Sequence, residues 1–125
     1  MSDSPLILYI EDNSDNRRLV SRVLKAAGFN CHGVGDAMTG LKFIQEQTPA
    51  LIIVDINLPV IDGYTLTRQL RQLEKLAHTP ILALTANVMK EDRDKSIEAG
   101  CDGFIRKPID VDRLPEQIWS YLTRN

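Results

Sequence analysis

The sequence has few of the features that mark disulfide-rich, secreted or membrane proteins. Its two cysteines, Cys31 and Cys101, are too few for a disulfide framework and lack metal-ligand spacing. We expect both to be reduced thiols, as is usual in the cytoplasm. No apolar run approaches the roughly 20 residues of a membrane span, and the apolar stretch 6–10 is too short and too poorly flanked for a signal peptide. These absences favour a soluble cytoplasmic protein that does not act at a membrane.

An excess of one charge and a biased composition are also missing. The chain carries 15 Lys and Arg against 17 Asp and Glu, so no overall field attracts nucleic acid or an anionic membrane. Seven glycines and six prolines are ordinary numbers for 125 residues, which excludes fibrous and low-complexity classes. With 43% apolar residues the composition is that of a globular protein, and we expect one domain over residues 1–125.

What the sequence does contain is a fivefold alternation of short apolar runs with longer stretches of helical period. The runs lie at 6–10, 29–34, 50–54, 80–85 and 103–106. Three of them (LILYI, ALIIV and ILAL) are nearly continuous in apolar residues, which is typical of strands buried on both faces of a parallel sheet. Five βα units in succession predict an α/β fold, a doubly wound three-layer sandwich with right-handed crossovers.

The stretches between the runs have the apolar spacing of amphipathic helices. The predicted inner face of the first helix is formed by Leu19, Val20, Val23, Leu24 and Ala27. Asp36 is the predicted N-cap of the second helix, and Leu73 is assigned to the third. Pro115 fits the fifth helix only if that helix starts near Asp112. The fourth stretch, 89–99, has few apolar residues, and we expect it to be the most loosely held helix.

Acidic residues follow the predicted strands directly. Glu11 and Asp12 come after the first run, and Asp55 ends the third. Ligands of open parallel sheets bind at the carboxyl edge of the strands. If the first and third strands are neighbours, three carboxylates converge there, and their mutual repulsion calls for a cation. An all-oxygen site suits Mg²⁺.

Two more residues complete a phosphate-sized site at the same edge. Thr85 ends the fourth strand and Lys107 follows the fifth. The ammonium supplies a charge for phosphoryl oxygens, and the hydroxyl can donate to one of them. Asp55 is the predicted nucleophile, because an aspartate can form an acyl phosphate once the incoming group is neutralised. Each residue alone is more typical of a turn or cap, so the prediction depends on all five together.

These residues lie in motifs that resemble the response-regulator receiver domains of two-component signalling. The resemblance covers the whole chain and rests on YIEDN (9–13), IIVDINLPVIDG (52–63), ALTAN (83–87) and AGCDGFIRKPI (99–109). It implies a flavodoxin-like (βα)₅ fold with a five-stranded parallel sheet in the order 2-1-3-4-5. It also implies a protein that cycles between unphosphorylated and phosphorylated states.

The resemblance implies a role for each residue of the acidic site. Asp55 corresponds to the phosphoacceptor. Asp12 corresponds to a direct ligand of Mg²⁺, and Glu11 to one that acts largely through water. Asn57 would offer its backbone carbonyl to the metal.

Three further positions match the family's catalytic lysine and its switch. Lys107 corresponds to the family's invariant lysine, followed by a cis peptide to Pro108. Thr85 corresponds to the switch hydroxyl that turns towards the phosphoryl group, and Phe104 to the switch aromatic. An alternative for Phe104 is a strand aromatic packed in one position.

The resemblance implies a signalling phosphoacceptor, which catalyses only its own phosphorylation and dephosphorylation. The implied donor is a phosphohistidine of a histidine kinase or a histidine-phosphotransfer protein. The fourth helix, fifth strand and fifth helix would bind an unidentified output protein, with no direct contact to nucleic acid; dimerisation through this face stays open. The chain ends soon after the fifth helix, so we expect the output to come from binding partners. Met1 precedes a short polar lead, and we therefore favour a stand-alone regulator over a receiver excised from a hybrid histidine kinase.

Other interpretations remain beside this one. A haloacid-dehalogenase-type phosphatase also phosphorylates an aspartate after a strand, but its D-x-D pattern is broken here by Asn57. A nucleotide-binding module would need a Gly-rich loop after the first strand. Trp119 is either an interface anchor or a packing residue. The basic side of the first helix is interpreted as a solvated face, and the alternative is a contact surface for an acidic histidine-phosphotransfer partner. It comprises Arg17, Arg18, Arg22 and Lys25.

Overall fold

The computed structural model describes residues 4–86 and 89–123, and within them it has five parallel strands and five α-helices. The strands are β1 Leu6–Ile10, β2 Asn30–Val34, β3 Leu51–Asp55, β4 Ile81–Thr85 and β5 Gly103–Arg106. The helices are α1 Ser14–Ala26, α2 Ala37–Glu46, α3 Gly63–Arg71, α4 Lys90–Ala99 and α5 Leu114–Leu122, and a 3₁₀ turn at Glu74–Leu76 precedes β4. Met1, used above to favour a stand-alone regulator, and Asn87 of the ALTAN motif lie outside the described residues.

The five strands form one sheet in the order β2-β1-β3-β4-β5, which confirms the predicted α/β fold and strand order. All neighbouring strands are parallel. Ile10 is paired with Val54 across β1 and β3, so the residues that follow β1 continue alongside the end of β3. Asp55 is paired with Leu84 of β4. The register therefore brings the polar residues at the carboxyl ends of β1, β3 and β4 to one edge of the sheet.

Apolar residues fill a layer on each face of the sheet, because successive strand residues point to opposite sides. Ile10, Ile52 and Val54 lie in one layer, together with Ile44 of α2 and Leu66 of α3. The opposite layer contains residues of the sheet, α1 and α5, among them Ile7, Tyr9, Ile53, Leu24 and Ile118. The three-layer architecture agrees with the sequence prediction.

The helix starts follow their capping residues. Oδ1 of Asn13 accepts a hydrogen bond from the backbone N–H of Asn16 at 2.9 Å, and Asn13 is thus the N-cap of α1. Asp36 accepts from the N–H of Thr39 at 2.8 Å, which confirms the predicted cap of α2. None of the described helices has the length and apolar character required to span a membrane.

Three details of the predicted helices are wrong. Leu19 and Ala27 are exposed, and the buried face of α1 is formed by Val20 and Leu24. Leu73 lies after the end of α3. The fifth helix begins at Leu114 rather than near residue 112. A turn precedes it, in which the backbone N–H groups of residues 113 and 114 both donate to the carbonyl of residue 110. Pro115 nevertheless lies in the first turn, as predicted.

Helix α4 has little buried surface. Only Ser96 and Ala99 of its residues are buried, and Ile97 is exposed. Its N-cap residue, Met89, makes no side-chain cap hydrogen bond. Few buried apolar residues are typical of low local stability, which agrees with the expectation for this helix.

Arg71, at the end of α3, ties together the segments that lead into β4 and β5. Its guanidinium donates to the carbonyl oxygens of Gly100 at 2.7 Å, Leu76 at 2.9 Å and Thr79 at 2.8 Å. It also forms an ion pair with Asp102. Gly100 is the C-cap of α4 and has a φ of 107°. The C-terminal end of α4 is therefore fastened to α3, although the helix itself is poorly packed.

Val60, in the loop between β3 and α3, is expected to store backbone strain. It has a φ of 71° and a fully exposed side chain, and this left-handed conformation is costly for a β-branched residue. Val60→Gly should therefore raise the free energy of unfolding by about 1 kcal/mol, since glycine adopts positive φ without a steric clash. Denaturant unfolding of both proteins measures the difference. Leu73→Gly is the control, because Leu73 is exposed at a φ of −82°; an equal gain there would contradict the explanation.

Candidate functional site

Asp55 lies at the centre of the polar edge of the sheet. It is the last residue of β3, and 1% of it is exposed. Its Oδ1 accepts from the backbone N–H of Asn57 at 2.9 Å. Both of its carboxylate oxygens accept from Nζ of Lys107 at 3.0 Å. A buried carboxylate is thus held by one ammonium and one backbone donor.

Lys107 reaches Asp55 from the loop after β5. Its backbone N–H donates to the carbonyl of Thr85 at 2.9 Å, which fixes this loop to the end of β4. The peptide bond between Lys107 and Pro108 is cis, as the resemblance implied. Because β4 lies between β5 and β3, the side chain has to cross a strand, and the long stem of lysine makes this possible.

Glu11 and Asp12 bring two more carboxylates to Asp55. One oxygen of each of the three lies within 4.8 Å of the others. Glu11 is buried and Asp12 is exposed. Burial first, and then the hydrogen bond and charge of Asp55, raise the pKa of Glu11 to about 7. Because a nearby cation stabilises such carboxylates, this set of oxygen donors fits a hard divalent ion such as Mg²⁺.

Three donors surround the side chain of Glu11. The hydroxyl of Tyr9 donates to Oε1 at 3.1 Å. The side-chain amide of Asn16 lies 3.4 Å from Oε1, and the backbone N–H of Asn13 lies 3.4 Å from Oε2. Burial and the charge of Glu11 raise the pKa of Tyr9 well above its ordinary value, so this hydroxyl stays protonated and remains a donor.

Arg17 also belongs to the site, although the sequence analysis assigned it to a solvated face. Its guanidinium donates to the backbone carbonyl of Glu11 at 2.6 Å. Its side chain passes over Gly33 and Gly35, where an added Cβ would come within 3.2 Å and 3.1 Å of it. Arg17 therefore joins the loop after β1 to the end of β2. The other three basic residues of α1 are exposed.

The two predicted switch residues lie on neighbouring strands. Thr85 is buried at the end of β4 and is paired with Arg106 of β5. Phe104 is half-buried in β5, paired with Ala83, and packs against the apolar layer that contains α3. The sequence thus placed Thr85 correctly at the edge that carries Asp55. The movement of either residue stays a prediction.

The remaining residues that the sequence singled out are Asn57, Trp119 and the two cysteines. The side chain of Asn57 is exposed, and the role of its carbonyl stays a prediction. Trp119 is half-exposed, and its ring lies 5.3 Å from that of Phe29, so part of it serves packing. Both cysteines are free thiols, and burial raises the pKa of each.

A half-open groove of about 420 Å³ runs beside Glu11. Its charged lining residues are Glu11 and Lys107, and the others are Asn16, Leu19, Val20, Leu84, Ala86, Pro108 and Ile109. This explains why Leu19 is exposed although its spacing predicted a core position. The groove gives a ligand access to Glu11 and Lys107.

Comparison with known proteins agrees with this arrangement. A sequence model of the family described as "Response regulator receiver domain" matches residues 7–119. The polar-differentiation response regulator DivK of Brucella ovis is 36% identical over 116 residues, which are 93% of this chain and 94% of DivK.

Solved structures are similar over nearly the whole chain. The chemotaxis protein CheY4 of Vibrio cholerae has a TM-score of 0.92 at 26% identity, covering 95% of this chain and 99% of CheY4. The receiver domain of sensor histidine kinase PA1611 from Pseudomonas aeruginosa has a TM-score of 0.88 at 30% identity, covering 98% and 100%. In that structure a magnesium ion is coordinated in the active site cleft.

Proposed function

The chain belongs to the response regulator receiver domain family of two-component signalling, and we propose that it accepts a phosphoryl group on Asp55. Receiver domains are signalling proteins that interact with histidine kinases or phosphotransfer proteins. The observation that carries the proposal is the buried Asp55 carboxylate, with Lys107 at 3.0 Å from both oxygens and two further carboxylates beside it.

The chemistry follows from the donors around Asp55. Both carboxylate oxygens accept from Lys107, and Oδ1 also accepts from the backbone N–H of Asn57. The Asp55 carboxylate is the nucleophile. It attacks the phosphorus of a phosphohistidine in line, the P–N bond breaks, and the imidazole leaves with the bonding pair and takes a proton from solvent. The ammonium of Lys107 stays beside Asp55 and stabilises the negative charge that develops on the phosphoryl oxygens.

The acidic cluster would hold Mg²⁺. Glu11, Asp12 and Asp55 would supply carboxylate oxygens directly or through water, and Asn57 its backbone carbonyl. When bound, the ion supplies positive charge for the phosphoryl oxygens. The chain's own contribution is to keep the three carboxylates within 4.8 Å of one another.

Phosphorylation would be transmitted through Thr85 and Phe104. An acyl phosphate on Asp55 presents new acceptor oxygens beside the end of β4, and the Thr85 hydroxyl turns to donate to one of them. Phe104 lines a cavity of about 430 Å³ together with Ile97 and Cys101, which gives its ring room to move inward. The surface of α4, β5 and α5 then changes for an output partner.

The length of one relative favours a stand-alone regulator. DivK, which the chain matches over 94% of that protein's length, is a response regulator. The receiver domain of PA1611, a sensor histidine kinase, supports the alternative that this chain comes from a hybrid kinase. No described feature favours a phosphatase with other substrates.

The intact mass of the protein after incubation with acetyl phosphate tests the proposal. With Mg²⁺ we expect one added phosphoryl group, and without Mg²⁺ much less. Asp55→Ala should abolish the adduct, whereas Asp94→Ala, an exposed aspartate on α4, should keep it. An unchanged wild-type mass, or an adduct that persists in Asp55→Ala, would overturn the proposal.

A further inference from the structure

Tyr9 is a buried polar residue that the proposed function does not use. It lies in the centre of β1 with 0% of its surface exposed. Its ring belongs to the apolar layer that contains Val20, Leu24 and Ile53. A tyrosine in such a layer needs a partner for its hydroxyl, and the partner here is Oε1 of Glu11 at 3.1 Å. A core side chain is thus connected to the acidic cluster.

Among the hydrogen bonds that the Glu11 carboxylate accepts from described residues, the one from Tyr9 is the shortest and the most buried. It is a hydrogen bond between two buried groups, whereas the contacts from the exposed residues Asn13 and Asn16 are partly buried and have lengths of 3.4 Å. A glutamate side chain has three rotatable bonds, so its carboxylate needs fixed donors to keep one orientation. The ring of Tyr9 is immobilised by the core, and its hydroxyl is therefore a hydrogen-bond donor with a fixed position.

We propose that Tyr9 is a positioning residue, whose hydroxyl holds the Glu11 carboxylate beside Asp12 and Asp55 in the orientation that binds a divalent cation. The inference rests on the proposed function, which takes the cation to be Mg²⁺. Tyr9 touches neither the ion nor the reacting atoms and acts through Glu11. Removal of a group that orients a metal ligand typically weakens metal affinity 10- to 100-fold.

Calorimetric titration with Mg²⁺ alone tests the inference, at a pH above neutral so that protons do not compete for the carboxylates. Tyr9→Phe removes one oxygen and keeps the ring in the core. We expect its Mg²⁺ affinity to fall roughly 10-fold. Tyr121→Phe is the matched control, because Tyr121 lies against Gly103, at the other end of β5 from Lys107; its affinity should equal that of the wild type.

The near-ultraviolet spectrum gives a second readout. Mg²⁺ draws charge from Glu11 and so changes the hydrogen bond to Tyr9, which should produce a tyrosine difference band in the wild type and in Tyr121→Phe. Tyr9→Phe should lack this band. Glu11→Asp, which shortens the carboxylate side chain and leaves the core intact, should also lose it, so the test does not depend on the folding of Tyr9→Phe.

A double-mutant cycle separates positioning from a general effect on the fold. In the Glu11→Asp background, Tyr9→Phe should not weaken Mg²⁺ binding further. Wild-type affinity in Tyr9→Phe, or an equal loss in both backgrounds, would overturn the inference. A wild type that binds Mg²⁺ but accepts no phosphoryl group contradicts the proposed function alone, whereas one that binds no Mg²⁺ overturns the inference as well.

Discussion

Lys107→Met is expected to slow phosphoryl transfer from acetyl phosphate to Asp55 by about 10²- to 10³-fold. Nζ of Lys107 is the ammonium in contact with both Asp55 oxygens. As charge develops on the phosphoryl group, a fixed cation at this point stabilises the transition state more than the ground state. Methionine keeps a stem of similar length and removes the charge. Initial rates of adduct formation at saturating Mg²⁺ measure the effect.

Lys95→Met is the control for this substitution, because Lys95 is an exposed lysine of α4. Its rate should equal that of the wild type. The far-ultraviolet circular dichroism of both variants should be unchanged, since Asp55 keeps the backbone donor at Asn57. A Lys107→Met protein that is folded and reacts at the wild-type rate would show that the ammonium has no part in the transfer.

Gly63→Ala is expected to lower the free energy of unfolding by about 3 kcal/mol. Gly63 begins α3 and packs against the end of β3, and its N–H donates to the carbonyl of Ile56 at 2.9 Å. A Cβ there would come within 2.5 Å of the carbonyl oxygen of Asp55 and 2.7 Å of Cα of Ile56. These are backbone atoms, so no rotamer change relieves the contact, and either α3 or the end of β3 at Asp55 has to move.

The same substitution should also impair the site. A displacement of about 1 Å at a reacting group can cost on the order of 10²-fold in rate, so Gly63→Ala should lose adduct formation as well as stability. Gly28→Ala is the matched control: Gly28 has a φ of 96° and nothing within 4 Å of an added Cβ. It should cost about 1 kcal/mol and keep the transfer rate. Equal effects of both variants, measured by urea unfolding and adduct rate, would contradict the steric explanation.

Much of the fold was predictable because burial dictates the composition of the strands. A strand covered on both faces has to be apolar throughout, as in LIIV before Asp55, and a turn has to follow it. Residues at such turns in a parallel sheet share one edge. This is why Glu11, Asp55 and Lys107 could be brought together from sequence, although they lie far apart along the chain. The strand order itself came from the family resemblance.

The contacts that hold these residues in place were not predictable in the same way. Tyr9 stands within an apolar run and is indistinguishable there from a packing residue, because its hydroxyl finds Glu11 only after β1 has formed. Arg17 resembles its solvated neighbours on α1, and its place over Gly33 depends on how β2 lies against β1. Leu19 has core spacing, yet it lines a groove. In each case the deciding partner belongs to another element.

Because Arg71 holds Gly100, α4 can tilt as a rigid lever whose fulcrum is its C-terminal end. Ten residues at about 1.5 Å each make an arm of roughly 15 Å. A tilt of about 10° around that fulcrum displaces the far end by close to 3 Å for an arm of this length, while Asp102 beside the fulcrum stays almost still. The far end begins at Met89, four residues after Thr85. A displacement that starts near the site would therefore move the Met89 end of the helix most and decrease along it towards Gly100.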